Sequence, residues 1–178
     1  MNELSIVQVS REIGLRGGSE CVAYELHRAW RALKIDAQVV TSIATETEGR
    51  EGISLIATWL GEWGEWGYVA TALALPIFTL AATLRLRRKH QVGVVISHGD
   101  SLAGDVCIVH AVNRASLAAK RRAGYYHWLL NPANLWLAWR DWFMLSRGRY
   151  RRIVAISERV RRSEEHTSEL QSRTLISY

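Results

Sequence analysis

The first forty-one residues switch hydrophobic period in an order that few folds accommodate. Leu4–Ser10 is a short β-rich run with partial alternation, which predicts a strand. Arg11–Gly18 carries Gly14, Gly17 and Gly18 and reads as a loop. Ser19 stands where a helix N-cap belongs, and Val22, Leu26, Ala29 and Leu33 follow at helical spacing as one apolar stripe. Ala37–Thr41 is a second strand. Strand, glycine loop, helix and strand in that order form a βαβ unit, whose crossover makes the two strands parallel.

The rest of the chain keeps this alternation. Thr45–Gly52 is polar and turn-like, and Ile53–Ala57 reads as a third strand. Gly61–Gly67 is a glycine-tryptophan segment with no assigned role. Val92–Ser97 and Asp105–Ala111 read as strands, Ser116–Ala123 and Pro132–Ser146 as helices, and Ile153–Ile156 as a last strand closed by Ser157 and Glu158. Hydrophobic residues make up 48% of the chain and charged residues 22%, so a packed core is expected rather than disorder. The expected fold is therefore α/β: a Rossmann-like parallel sheet with helices on both faces.

In such a sheet, ligands bind beyond the carboxyl ends of the strands. Two histidines fall there: His98 after Val92–Ser97, and His110 near the end of Asp105–Ala111. Each could donate a hydrogen bond to a ligand oxygen there, or be a satisfied core histidine. The loop Gly14–Glu20 brings backbone and a helix N-terminus to the same edge, where anions are favoured. It is neither GxGxxG nor a P-loop, which argues against a dinucleotide-dependent oxidoreductase. Asp100 and Asp105 read as turn residues. Cys21 and Cys107 have no CxxC partner and read as buried, inert thiols, and no metal site is expected.

The net charge is +6, and the stretch from Ser163 onward carries −2, which leaves +8 for the remainder. Such a surface suits anionic partners: nucleotide phosphates, anionic lipid or nucleic acid. Seven of the eight tryptophans lie between Trp59 and Trp142. Tyr68–Leu84 is an uncharged run followed by Arg85-Leu-Arg-Arg-Lys-His90. It is short for a membrane span, which needs about 20 apolar residues. Two readings stay open, a helix buried against the sheet and a monotopic patch at the lipid–water interface. Trp136, Trp139 and Phe143 share one helical face, which fits either core or interface. No signal peptide is visible at the start of the chain.

Several segments in order resemble the amino-terminal domain of family 4 glycosyltransferases, the large retaining group with two Rossmann-like domains. The opening Ile6–Ser10, Gly17-Gly-Ser-Glu20, Leu26, Leu33 and Ala37–Thr41 resembles the first strand, Gly-Gly loop, helix and second strand of that family. Val94–His98 and Asp105–His110 resemble its two later strands ending in His, and Arg149–Val160 resembles the stretch that closes the domain. The resemblance spans about Leu4 to Arg161. It implies a GT-B amino-terminal, acceptor-side domain over residues 1–161, with a nucleotide-sugar donor as substrate, no cofactor, and a glycan or lipid-linked acceptor. Within it, His110 matches a catalytic histidine near the transferred sugar, while Gly17, Gly18 and His98 match substrate-binding positions. The resemblance further implies cell-envelope or polysaccharide biosynthesis, in the cytoplasm or peripherally at the inner face of the membrane, on an anionic lipid surface and not on nucleic acid. The family's carboxyl-terminal donor-binding domain, with its basic pair and Glu motif, has no match here, so the chain is expected to be an inactive fragment. The alternative is a non-catalytic basic, aromatic-rich module that binds a membrane surface or nucleic acid.

Residues Arg162–Ser172 are similar to something else: the in-frame translation of a widely used short-read sequencing adapter, at every position. That resemblance implies a non-native tail over residues 162–178, expected to pack against nothing. It removes His166 and the glutamates around it from consideration as a metal or acid/base site.

Overall fold

The computed structural model describes residues 5–15, 17–45, 51–59, 65–90, 93–110, 113–126, 132–146, 149–156 and 175–177. Its strands are β1 (Ser5–Val9), β2 (Glu12–Gly14), β3 (Asp36–Thr41), β4 (Ile43–Thr45), β5 (Ile53–Leu55), β6 (Val94–Ser97), β7 (Val106–Val109), β8 (Arg152–Ala155) and β9 (Leu175–Ser177). Its helices are α1 (Ser19–Ala32), α2 (Glu65–His90), α3 (Asn113–Arg122) and α4 (Pro132–Ser146).

The main sheet runs β5-β3-β1-β6-β7-β8-β9, and every neighbouring pair in it is parallel. Taking the six strands from β5 to β8 in chain order, the pattern is that of a doubly wound Rossmann-like sheet, which reverses direction between β1 and β6. The expected α/β class is therefore correct. A second, two-stranded parallel sheet joins β2 to β4. It was not expected, since Glu12–Gly14 falls in the predicted loop; three-residue strands carry no readable period.

Register fixes which side chains share a face. Val7 lies opposite Val95, Val9 opposite Ser97, and Ser97 opposite Cys107, so these residues point to one side of the sheet. On that side Val7, Val9, Val40 and Val95 pack with Ala82 and Leu86 of α2. Farther along, Cys107, Val109 and Ile153 pack with Met144 and Leu145 of α4 and with Tyr150. On the opposite side Val39 packs with Ala23 and Tyr24 of α1 and with Ile13 of β2. Helices thus cover both faces, as the buried parallel strands require.

Two details of α1 differ from expectation. Its buried face is Ala23, Tyr24 and His27, while Val22 is 40% and Leu33 is 70% exposed. The small Ala23 permits close approach to the sheet, and its carbonyl accepts a hydrogen bond from Gln8 Nε2 at 2.7 Å, which fixes the helix rotation against the apolar stripe. The N-cap is Gly18, with no side-chain cap, and the Ser19 hydroxyl instead donates to Glu20 at 3.0 Å.

Tyr68–Leu84 lies within α2, a 26-residue helix with Pro76 inside it. One face of this helix is buried through Leu75, Thr79 and Thr83, while Leu73, Ile77, Phe78 and Leu84 are exposed. The buried-helix reading therefore holds for half the circumference. Among the described residues, no helix is long and apolar enough to cross a membrane. The aromatic face of α4 is not core. Trp136, Trp139 and Phe143 stack on one another with centroids 4.9 and 5.2 Å apart, Trp139 is exposed, and the guanidinium of Arg149 sits 4.7 Å over Phe143. The core side of α4 is Asp141, Met144 and Leu145 instead. Cys107 is buried as expected, whereas Cys21 is only half-buried.

The tail departs from expectation at one place. Residues 162–172 lie outside the described residues, as do Ser157, Glu158 and most of Gly61–Gly67. Leu175–Ser177, however, pairs in parallel with Ile153–Ala155 and extends the sheet. Such pairing uses backbone groups alone. A free sheet edge is a template for any extended segment, so no selected side chains are needed to form it.

Candidate active site

The site forms where the sheet reverses. It occupies the crevice beyond the carboxyl ends of β1, β6 and β7, the place where open α/β sheets bind ligands. The loop after β1 supplies Ser10 and Arg11, and the head of α1 supplies Ser19 and Glu20. The loop after β6 supplies His98, Gly99 and Asp100, and His110 follows β7. Pro76 of α2 and Arg140 and Asp141 of α4 close the remaining side of a cavity of about 250 Å³.

Hydrogen bonds hold these loops in place. The backbone N–H of His98 donates to the Val9 carbonyl at 2.9 Å, which carries the β1–β6 pairing one residue past the strands. Ser97 Oγ accepts the N–H groups of Gly99 and Ser101, each at 3.2 Å, and so closes the turn that points Asp100 inward. The Asp100 carbonyl accepts the Thr79 hydroxyl at 2.8 Å, tying this turn to α2 beside Pro76. Tyr150 donates to the Ser101 carbonyl from below.

The cavity is electrostatically mixed. Glu20 meets Arg11 at 3.7 Å and Arg140 meets Asp141 at 3.1 Å. Burial works against the Glu20 carboxylate, but its own backbone N–H, the Ser19 hydroxyl and Arg11 outweigh it and hold its pKa below the ordinary value. Burial pushes the Asp100 carboxyl up, against the pull of Arg140 and the Arg11 N–H. The two imidazoles meet directly, His98 Nδ1 to His110 Nε2 at 2.9 Å. Burial lowers His98 to about 3, helped by the neighbouring His110. It lowers His110 as well, against the carboxylates of Asp100 and Glu20. Both rings are thus neutral near pH 7.

All four residues singled out from the sequence lie in loops at the carboxyl edge. His98 and His110 line the cavity together. Gly17 and Gly18 stand just outside it, at the head of α1, and Ser19 and Glu20 are the residues that reach in. Asp100 is more than a turn residue: its side chain accepts the Arg11 N–H at 2.8 Å. Asp105, at the opposite end of the sheet, accepts from the Val95 N–H at 2.9 Å and pairs with Arg87. Sequence reading missed Arg11, Glu20, Arg140 and Asp141. Arg11 and Glu20 flank the glycine loop and could have been found by asking what borders it; nothing local marks Arg140 or Asp141. Among the described residues, no group of three or more His, Cys, Asp or Glu side chains is placed to hold a metal ion. No family model matches this chain, and no curated protein matches it.

Proposed function

We propose that the chain is the acceptor-side domain of a retaining glycosyltransferase that uses a nucleotide-sugar. The observation that carries this reading is the cavity itself: its position at the sheet reversal, its volume of about 250 Å³, and its interleaved donors and acceptors. A sugar ring presents hydroxyls that both donate and accept. Glu20, Asp100 and Asp141 suit the first role, and Arg11, Arg140 and His110 the second. In the transfer, the bond from the anomeric carbon to the nucleotide's phosphate oxygen breaks, the acceptor hydroxyl oxygen bonds to that carbon, and the hydroxyl proton passes to the departing phosphate oxygen as the nucleotide leaves. His110 is the side chain proposed to sit near the reacting sugar, with no cofactor required. A second domain supplying phosphate stabilisation completes the cleft on this reading. The three carboxylates argue against a nucleic-acid groove, where they would repel the phosphate backbone.

A second reading, a membrane-surface module, draws on a different region: the Trp136–Trp139–Phe143 stack, exposed at Trp139, with Arg149, and Trp59 meeting Phe78 edge-on at 6.4 Å. A peripheral site at an anionic inner leaflet is compatible with the enzyme reading, since lipid-linked acceptors are presented there. The two are separated by titrating the 178-residue chain with nucleotide-sugars, neutral oligosaccharides and phosphatidylglycerol vesicles while following amide signals. The enzyme reading expects a sugar ligand to shift Arg11, Glu20 and His110. Signals that move only at Trp59 and Trp139, and only with vesicles, would overturn it.

A further inference from the structure

We propose that His98 is a positioning residue that holds His110 in its Nδ1–H tautomer, so that His110 meets a ligand as a neutral hydrogen-bond donor and not as a base. The ring geometry comes first. The two planes are 22° apart, their centroids 5.2 Å apart, and the facing nitrogens 2.9 Å apart. Rings in that arrangement meet edge to edge through their nitrogens, not face to face. An N–H on one therefore points along its own plane at the lone pair of the other.

One proton occupies that contact, and the surroundings of His98 decide its owner. His98 Nε2 is buried and, among the described residues, has no hydrogen-bond partner. If His110 Nε2 carried the shared proton, a neutral His98 would carry its own proton on Nε2, as a buried N–H with nothing to accept it. If His98 Nδ1 carries the shared proton, His98 Nε2 is a bare lone pair. An orphaned buried N–H is a rarer defect in folded proteins than an under-satisfied buried acceptor. The shared proton therefore sits on His98 Nδ1, His110 Nε2 accepts it, and the remaining proton of His110 is on Nδ1. A doubly protonated His98 is disfavoured by its burial, which agrees with the direction of its titration.

His98 is suited to the task because the backbone that carries it is fixed and its ring is buried. Its N–H is tied to Val9, and the following turn is closed on Ser97. The groups that face His110 are Glu20 from the head of α1 and Asp100 from the turn after β6. Arg140 of α4 acts on Asp100 and Arg11 on Glu20, so the nearby carboxylates are partly offset and the His pair stays neutral. The group recognised by His110 Nδ1–H is an oxygen acceptor: a sugar hydroxyl or ring oxygen, or a phosphate oxygen. That last step rests on the cleft being a ligand site, as proposed above; the tautomer itself does not.

The test is a long-range proton–nitrogen spectrum of the whole chain with labelled histidine at pH 7.5, with His98 and His110 assigned by loss of signal in His98→Asn and His110→Asn. The expected result is an Nδ1–H pattern for both rings. His98→Phe removes the donor and should return His110 to the Nε2–H form. His98→Asn, whose amide can donate from nearly the same place, should keep His110 as Nδ1–H. An Nε2–H pattern for His110 in the parent chain overturns the proposal, whether or not the variants fold. So does an unmoved pattern in a folded His98→Phe. Failure of both nucleotide-sugars and neutral oligosaccharides to bind would strike the proposed function while leaving this spectrum unchanged.

Discussion

The side chain of Asp100 accepts the backbone N–H of Arg11 at 2.8 Å, joining the loop after β6 to the loop after β1 across 89 positions of sequence. This bond spans the sheet reversal and sets the width of the crevice. Asp100→Ala should leave the Arg11 N–H without its partner and cost about 1–2 kcal/mol, allowing for partial exposure. Asp100→Asn keeps an acceptor oxygen and removes a charge that burial disfavours, so it should cost less. Urea denaturation of the three proteins side by side measures the order. A fully stable Asp100→Ala would mean that the two loops are held by something else.

A pH dependence follows from the histidine pair. The folded pKa of His98 is lowered from 6.5 to about 3, and those of His110 and His27 are lowered as well, in each case chiefly by burial. Above pH 6.5 these rings are neutral in both states and their contribution is fully present. As pH falls below 6.5, the unfolded chain takes up protons that the fold refuses, and stability is lost toward pH 3. The slope is at most about 1.4 kcal/mol per pH unit for each fully depressed ring. Asp100, raised by burial, works the other way, binding its proton in the fold before the unfolded chain does. Melting temperatures at pH 7.5 and 5.0 should therefore show the protein less stable at the lower value, and His98→Phe should flatten the difference. Equal melting at the two pH values would contradict the buried, neutral pair.

Much of this architecture was legible because it is local. Leu4–Ser10, Ala37–Thr41 and Pro132–Ser146 announce their periods within a few residues, and His98 and His110 could be placed because strand ends could be placed. The rotation of α1 was not legible. Val22 and Leu33 are the more apolar residues, but the sheet selects Ala23, Tyr24 and His27 through close approach and the Gln8 bond. The β2–β4 pair was hidden for a related reason. It depends on the Arg11 carbonyl accepting from the Ser42 and Ile43 N–H groups, and no pattern within either three-residue strand reports that. The charged lining of the site was hidden by distance: Arg140 lies far along the chain from Asp100 and Glu20 and joins them in lining the cavity only once α4 has packed.

The edge strand β9 offers a test of the tail. It pairs with β8 at three positions, and fixing the backbone of those residues has an entropic cost. Deleting residues 163–178 should change stability by about 1 kcal/mol or less, or roughly 2–4 °C in melting temperature. A loss of cooperative unfolding in the deleted chain would show instead that β9 is integral to the sheet.

The two glycines of the first loop should behave differently when replaced. Gly17 has φ +94°, a conformation that side chains with a Cβ rarely adopt, and an added Cβ would come within 2.5 Å of Glu20 Oε2. Gly17→Ala therefore carries two penalties. The backbone is strained by about 1 kcal/mol, and Glu20 must move from its place between the Ser19 hydroxyl and Arg11. Since Glu20 is one of the two carboxylates acting on His110, that movement should also displace the His110 ring signals. Gly18 has φ −92° and ψ −68°, an ordinary right-handed conformation, and a Cβ there meets nothing within 4 Å. Gly18→Ala should stay within about 0.5 kcal/mol of the parent, with the histidine signals unmoved. Denaturation and the histidine spectrum, recorded for both variants, separate the cases. Equal effects at the two positions would mean that the Gly17 conformation and its contact with Glu20 do not shape the cleft.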